Sequence, residues 1–188
     1  MRHFLLFLTA CLAPVAVSAQ SHDPAVRMAA QRDAMARLSF MDGVWRGPAW
    51  SVTPAGRREL TQTERIGPFL GGAVRLIEGR GYLADGSVGF NAFGVVAYDP
   101  ATQAYSITSW AMGQNITVPL VLSPTGYVWE VPAGPGARIR YTAEIASGRW
   151  HEYGDRIVGE APPMRIFDMQ LTRVADTDWP LGEPVPMR

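Results

Sequence analysis

From Gly43 to Arg173 turn residues recur roughly every ten positions, and this spacing constrains the fold more than any other feature. Turn signals fall at Pro54-Ala55-Gly56, Asp85-Gly86, Asp99-Pro100, Pro124-Thr125-Gly126, Pro132 to Gly136, Ser147-Gly148 and Pro162-Pro163. Between them the sequence predicts ten strands, at 43–53, 57–66, 72–82, 87–98, 103–112, 115–122, 126–131, 137–146, 149–158 and 163–173. Sequential hairpins at this spacing make an antiparallel up-and-down meander. A meander of ten strands does best to close into a barrel, because closure removes its two unpaired edges.

Upstream the pattern differs. Met1-Arg2-His3 is a short basic start, Phe4 to Val17 is apolar, and Val17-Ser18-Ala19 offers small residues where a signal peptidase cuts. Residues 1–19 are therefore expected to be a signal peptide, and the product periplasmic or secreted. A competing reading takes Leu8-Thr9-Ala10-Cys11 as a lipobox with Cys11 lipidated, which shortens the apolar core to Phe4–Ala10. The segment 20–40 is expected to be a helix, opened by Asp23 as N-cap and Pro24 at the first helical position. Met28, Met35 and Leu38 fall on one stripe of it and read as a packing face. The barrel occupies 41–175, and 176–188 is a proline-rich tail with Trp179 to pack it.

The composition excludes several chemistries. The chain has 17 basic residues, all arginine, and 17 acidic ones; cleavage after Ala19 removes Arg2, His3 and Cys11. With no cysteine left there is no disulfide, thiol nucleophile or thiolate metal site. Without lysine there is no Schiff base and no phosphate loop of the usual kind. Balanced charge gives no nucleic-acid footprint. The two remaining histidines, His22 and His151, do not make a metal cluster, no G-x-S-x-G motif places a serine, and no metal or cofactor is expected. No run is long enough for a transmembrane segment. Oligomeric state is left open.

Two hairpins allow side chains to be sorted onto faces. A tight turn at Asp85-Gly86 pairs Glu78 with Phe93, Arg80 with Asn91, Leu76 with Val95 and Val74 with Ala97. Pairing Tyr98 with Tyr105 then sets Trp110 beside Phe93. This face is aromatic with a few polar groups, as pocket walls are, but it reads equally as a solvated outer wall. A turn at Ser147-Gly148 puts Arg140 opposite Asp155 and Glu144 opposite His151 on a wet face. The other face collects Ile139, Tyr141, Ala143 and Ile145 with Trp150, Glu152, Gly154 and Arg156. Burial there raises the pKa of Glu152 unless Arg156 pairs with it.

Gly43-Val44-Trp45-Arg46-Gly47, after a short helix and opening the first strand, resembles the G-x-W signature of calycin-type barrels, shared by lipocalins and nitrobindin-like haem barrels. The resemblance implies that Trp45 closes the barrel base beneath a basic residue of the last strand, here Arg173. Gln62-Thr63-Glu64-Arg65, Gly71-Gly72, Ile77-Glu78-Gly79 and Tyr98-Asp99-Pro100 look similar to an uncharacterised family of secreted bacterial lipocalin-like domains, over roughly residues 38–175. That family carries no assigned activity. Nitrobindin-like barrels hold haem through a last-strand histidine, and Met164 to Leu171 contains none, so haem held in that way is not expected.

The expectation is an all-β, lipocalin-like β-barrel with one N-terminal α-helix that binds a small apolar or amphipathic ligand, anions included. Its lining would be Leu76, Glu78, Arg80, Asn91, Phe93, Trp110, Trp129, Tyr141, Trp150 and Glu152, with Arg80 or Arg156 placed to meet an anion. Glu130 and Asp168 are further acids within apolar strands. Two alternatives stand beside it. One is an isomerase or cyclase using an interior carboxylate; the other is a structural or interaction protein whose six tryptophans and several methionines fill the barrel.

Overall fold

The computed structural model describes residues 23–180; the signal-peptide and lipobox readings and the end of the tail lie outside the described residues. Helix α1 (Pro24–Ala36) begins where expected, with the Asp23 carboxylate accepting from the Ala25 amide at 2.9 Å. After a 3-10 turn at Ser39–Met41 come ten strands: β1 (Gly43–Thr53), β2 (Gly56–Phe69), β3 (Val74–Tyr82), β4 (Val88–Asp99), β5 (Ala104–Ala111), β6 (Gln114–Ser123), β7 (Gly126–Pro132), β8 (Ala137–Ala146), β9 (Arg149–Val158) and β10 (Met164–Ala175). Each pairs antiparallel with its neighbour in sequence, and β1 pairs with β10 to close the ring.

The expected registers hold. Glu78 faces Phe93, Arg80 faces Asn91, Phe93 faces Trp110 and Tyr98 faces Tyr105. Arg140 faces Asp155 and Glu144 faces His151. The Asp85-Gly86 turn is not a two-residue loop. Leu83 and Ser87 close it, and a bulge between Gly81 and Tyr82 absorbs the extra residues, so the pairing below it is unchanged.

The core sits at one end of the barrel. Met35, Leu38, Met41, Trp45, Ile66 and Val96 are completely or almost completely buried there. Met28 does not join them: it is 48% exposed, because the first turns of α1 extend beyond the rim. The helix is fastened by side chains from the barrel. Tyr105 Oη donates to the Ala34 carbonyl at 2.8 Å, Gln31 Nε2 donates to the Tyr98 carbonyl at 3.0 Å, and Arg75 reaches the Met35 carbonyl while pairing with Asp42 at 2.8 Å. Trp45 lies in this base, its Nε1 donating to the Met41 carbonyl at 2.9 Å. Arg173, paired with Trp45 across the strands, donates to the Asp42 carbonyl at 2.8 Å. Trp45 and Arg173 are thus register partners at the closed end, each bonded to a carbonyl of the 41–42 turn.

Among the described residues the other end carries no such plug. Inward-facing residues of its upper courses, including Phe90, Ser109, Trp129, Tyr141 and Phe167, are half-buried although they point into the barrel. Among the described residues the wall is thus cup-like, with a packed base and a more accessible opposite end.

Candidate functional site

The predicted lining divides into two groups on opposite sides of the wall. Leu76, Glu78, Arg80, Asn91, Phe93 and Trp110 point outward, contrary to their use as interior lining. On β3 and β4 the inward face is the other one, with Arg75, Ile77, Gly79 and Gly81 opposite Val96, Gly94, Ala92 and Phe90. It looks poor in side chains because it receives them from elsewhere: a Cβ at Gly79 would stand 2.7 Å from Glu64 Oε1, and one at Gly81 would stand 2.9 Å from Gln62 Oε1.

All the outward group except Leu76 does come together, in an open cleft of about 940 Å³ with Arg65 and Trp179. Its charges are already matched. The Glu78 carboxylate is held between Arg65 and Arg80, and Arg65 also lies over the Trp179 ring, 4.9 Å from its centroid. Phe93 and Trp110 pack at 5.9 Å between centroids. Arg80 is therefore not an interior anchor for an anion.

Trp129, Tyr141, Trp150 and Glu152 do face inward, together on β7, β8 and β9. Trp129 and Tyr141 stack at 4.5 Å, and Phe167 meets Tyr141 edge-on at 5.9 Å. Trp150 sits on the core, edge to the ring of Trp45 at 5.6 Å. Glu152, 7% exposed, accepts from Tyr127 Oη at 2.9 Å and from Trp129 Nε1 at 3.1 Å. Arg156 does not pair with it. Arg156 lies on the same face nearer the mouth, where Arg58 on β2 also turns inward with a buried, unpartnered Nε.

The residues missed by sequence reasoning are Gln62, Glu64 and Tyr127. Glu64, 8% exposed, faces Trp45 across the β1–β2 pair and accepts from Gln62 Nε2 at 2.7 Å. Both faces of β2 are polar here, so no period-2 signal marks the buried one. A signal was available: with Trp45 taken as inward, the Pro54-Ala55-Gly56 turn places Glu64 and Gln62 inward beside it.

The result is a floor bearing two carboxyl groups with no cation on it among the described residues. Burial pushes Glu64 up to about 8, with the charge of Glu152, then that of Glu78 behind the wall, adding to it and the Gln62 bond opposing it. Burial raises Glu152 too, against the donors Trp129, Tyr127 and the nearby Trp150 indole. Burial, then the Glu152 charge, lifts Tyr127 well above the ordinary tyrosine range and Tyr141 to about 12, so both keep their hydroxyl protons. Trp150 Nε1, only biasing the carboxyl nearby, makes no hydrogen bond although fully buried.

The wet outer face of β8–β9 is as expected, but its charges pair with other strands. Arg140 and Arg138 meet Glu130, Asp155 meets Arg165, and His151 meets Asp168 at 3.0 Å. Arg140–Asp155 and Glu144–His151 are neighbours in register without being ion pairs, because Arg140 pairs with Glu130 and Asp155 with Arg165, each its direct partner on the other neighbouring strand, while His151 turns to Asp168. Glu130 and Asp168 are accordingly outer-wall acids. No group of three or more metal-ligating side chains is found among the described residues, and no described helix is long and apolar enough to cross a membrane.

No family model and no curated protein matches the chain. Among solved structures it is similar to the crystal structure of Rv2717c from M. tuberculosis, at 12% identity and a TM-score of 0.56, over 75% of this chain and 97% of that one. At that identity the likeness speaks for the fold alone, and the fold is a closed ten-stranded antiparallel β-barrel with one N-terminal helix.

Proposed function

We propose that the protein is an exported barrel that takes a small apolar or amphipathic molecule into the open end of its interior. The observation that carries this reading is the partly exposed aromatic wall of Trp129, Tyr141 and Phe167 above a floor of hydrogen-bonding groups. Such a combination, an apolar lining with a few convergent polar groups, is the usual composition of a ligand pocket. Gln62, Glu64 and Tyr141 lie close against the glycines at 81, 79 and 154 on the neighbouring strands. An anionic end, on a ligand that has one, belongs at the mouth near Arg58 and Arg156 and away from the acidic floor.

The test is uptake of Nile red, a neutral apolar dye, followed by its displacement and by native mass spectrometry of protein taken from its own host. Saturable fluorescence, reduced about tenfold in affinity by Trp129→Ala, supports the reading. Uptake that is absent, or unaffected by Trp129→Ala and Tyr141→Ala, removes it and returns the barrel to a structural role.

Glu64 favours a second reading, general acid–base chemistry on the bound molecule, since an acid poised near neutrality suits proton transfer. It is separated from binding alone by chemical conversion of a captured ligand, which Glu64→Gln would abolish while binding persists.

A further inference from the structure

The floor of the cup is matched to a particular kind of polar group. Every hydrogen bond identified at Glu152 is donated to it, one to each oxygen, by the neutral donors Tyr127 and Trp129. Such donors favour the ionised carboxyl, against the burial that opposes it, without supplying a positive charge. Glu64 accepts at Oε1 from Gln62, again neutral, and no bond to its other oxygen is present. The charged groups around the pair are otherwise engaged or distant: Arg75 lies below with Asp42, Glu78 is outside the wall with Arg65 and Arg80, and Arg58 and Arg156 stand towards the mouth. Neither carboxyl has a cationic partner among the described residues.

Three features narrow the class of such a partner. A divalent metal would want more oxygen ligands than two carboxyls supply, and no third ligating side chain accompanies them among the described residues. The walls just above are aromatic faces, with Trp129 stacked on Tyr141 and Phe167 edge-on to Tyr141, and such faces attract organic ammonium ions. Trp150, only 2% exposed, carries a buried indole N–H that makes no hydrogen bond and lies close enough to Glu152 to bias its carboxyl, so an oxygen acceptor beside that carboxyl would complete it.

Resting on the binding reading above, we infer that the cup binds a small protonated amine carrying a neighbouring oxygen acceptor, its ammonium on Glu64 and Glu152 and its acceptor on Trp150. Binding then drives the proton off Glu64, because an adjacent ammonium favours the ionised carboxyl. Uptake is coupled to proton release and strengthens as the pH rises towards 8, where Glu64 loses its proton unaided.

The experiment is calorimetric titration with four probes of similar size: 2-phenylethylamine, 2-amino-1-phenylethanol, 2-phenylethanol and 3-phenylpropionate. The two amines should bind about tenfold or more tightly than the alcohol, with the carboxylate weakest. Buffers of different ionisation enthalpy at pH 7 should report proton release for the amines only. Glu152→Gln should remove the preference for amine over alcohol while Nile red uptake continues, and Trp150→Phe should erase the advantage of the amino alcohol over the simple amine. Equal binding of amine and alcohol, or a preference for the carboxylate, overturns the inference while leaving the binding reading intact. Failure of every probe together with Nile red overturns both.

Discussion

A carboxyl group enclosed without a cation is harder to ionise than one in water, and Glu64 converts that difficulty into a pH dependence of the whole molecule. Its pKa is about 8 in the folded barrel against an ordinary 4.5, so the folded state binds the proton more tightly than the unfolded chain. The stability associated with Glu64 is therefore complete below about pH 4.5 and is lost as the pH rises through 8, by up to about 5 kcal/mol. Urea unfolding of the wild type and Glu64→Gln between pH 5 and 9 checks this. The wild type should weaken with rising pH relative to the variant, and superimposable profiles would show that Glu64 does not titrate inside the barrel. At Glu152 the glutamine replacement keeps an acceptor for Trp129 or Tyr127 and removes an acid whose ionised form burial disfavours. Glu152→Gln should accordingly leave the urea midpoint unchanged or raise it, whereas Glu152→Leu, which strands both donors, should lower it by about 1–3 kcal/mol.

Among the elements, the seams between strands are tighter at some glycines than at others. A Cβ at Gly47 on β1 would stand 2.0 Å from the Gln170 carbonyl oxygen of β10, where only backbone can give way. A Cβ at Gly154 on β9 would meet the Tyr141 ring at 2.8 Å, and a ring can turn. Gly47→Ala should therefore fail to yield a cooperative unfolding transition. Gly154→Ala should fold with a loss of about 1–3 kcal/mol and altered Trp129 fluorescence, since Tyr141 stacks on that indole. Circular dichroism and tryptophan emission distinguish the two outcomes. The elements also show what was legible beforehand. Strand number and order followed from turn residues, and the Arg80–Asn91 register matched because the bulge beside Gly81 offsets the longer turn. Facing did not follow on β3 and β4, where the aromatic face bearing Phe93 and Trp110 looked like a lining and the glycine face did not. What settles the matter is the neighbouring strand: Glu64 and Gln62 of β2 occupy the spaces those glycines leave. A hairpin read alone contains no trace of that. On β8 and β9, where Tyr141, Ile145 and Trp150 oppose a face of arginines and acids, the contrast in polarity was enough to place Glu152 inside.

For the whole molecule, the two ends of the barrel have different duties. The closed end is held by a few long-range fastenings, of which Arg75 is the most central: 4% exposed, it joins β3 to Asp42 and to the end of α1. Arg75→Ala leaves Asp42 without its partner and a carbonyl unmet, and should lower stability by about 3–5 kcal/mol. Thermal melting would measure the loss, and dye binding at the freed base would show whether α1 has lifted. The closure of the ring has a consequence in time as well as in space. Asp42 and Arg173, joined by a hydrogen bond, lie 131 positions apart, and β1 finds its second neighbour only when β10 has arrived. Nine strands can form as a ladder of local hairpins, yet each intermediate keeps two raw edges until the last segment docks. Folding of this barrel should thus be governed by one late, distant encounter, on the slow millisecond-to-second side of the range for single domains. A chain shortened by its final strand would be left as an open, adhesive sheet, prone to pair with its own copies.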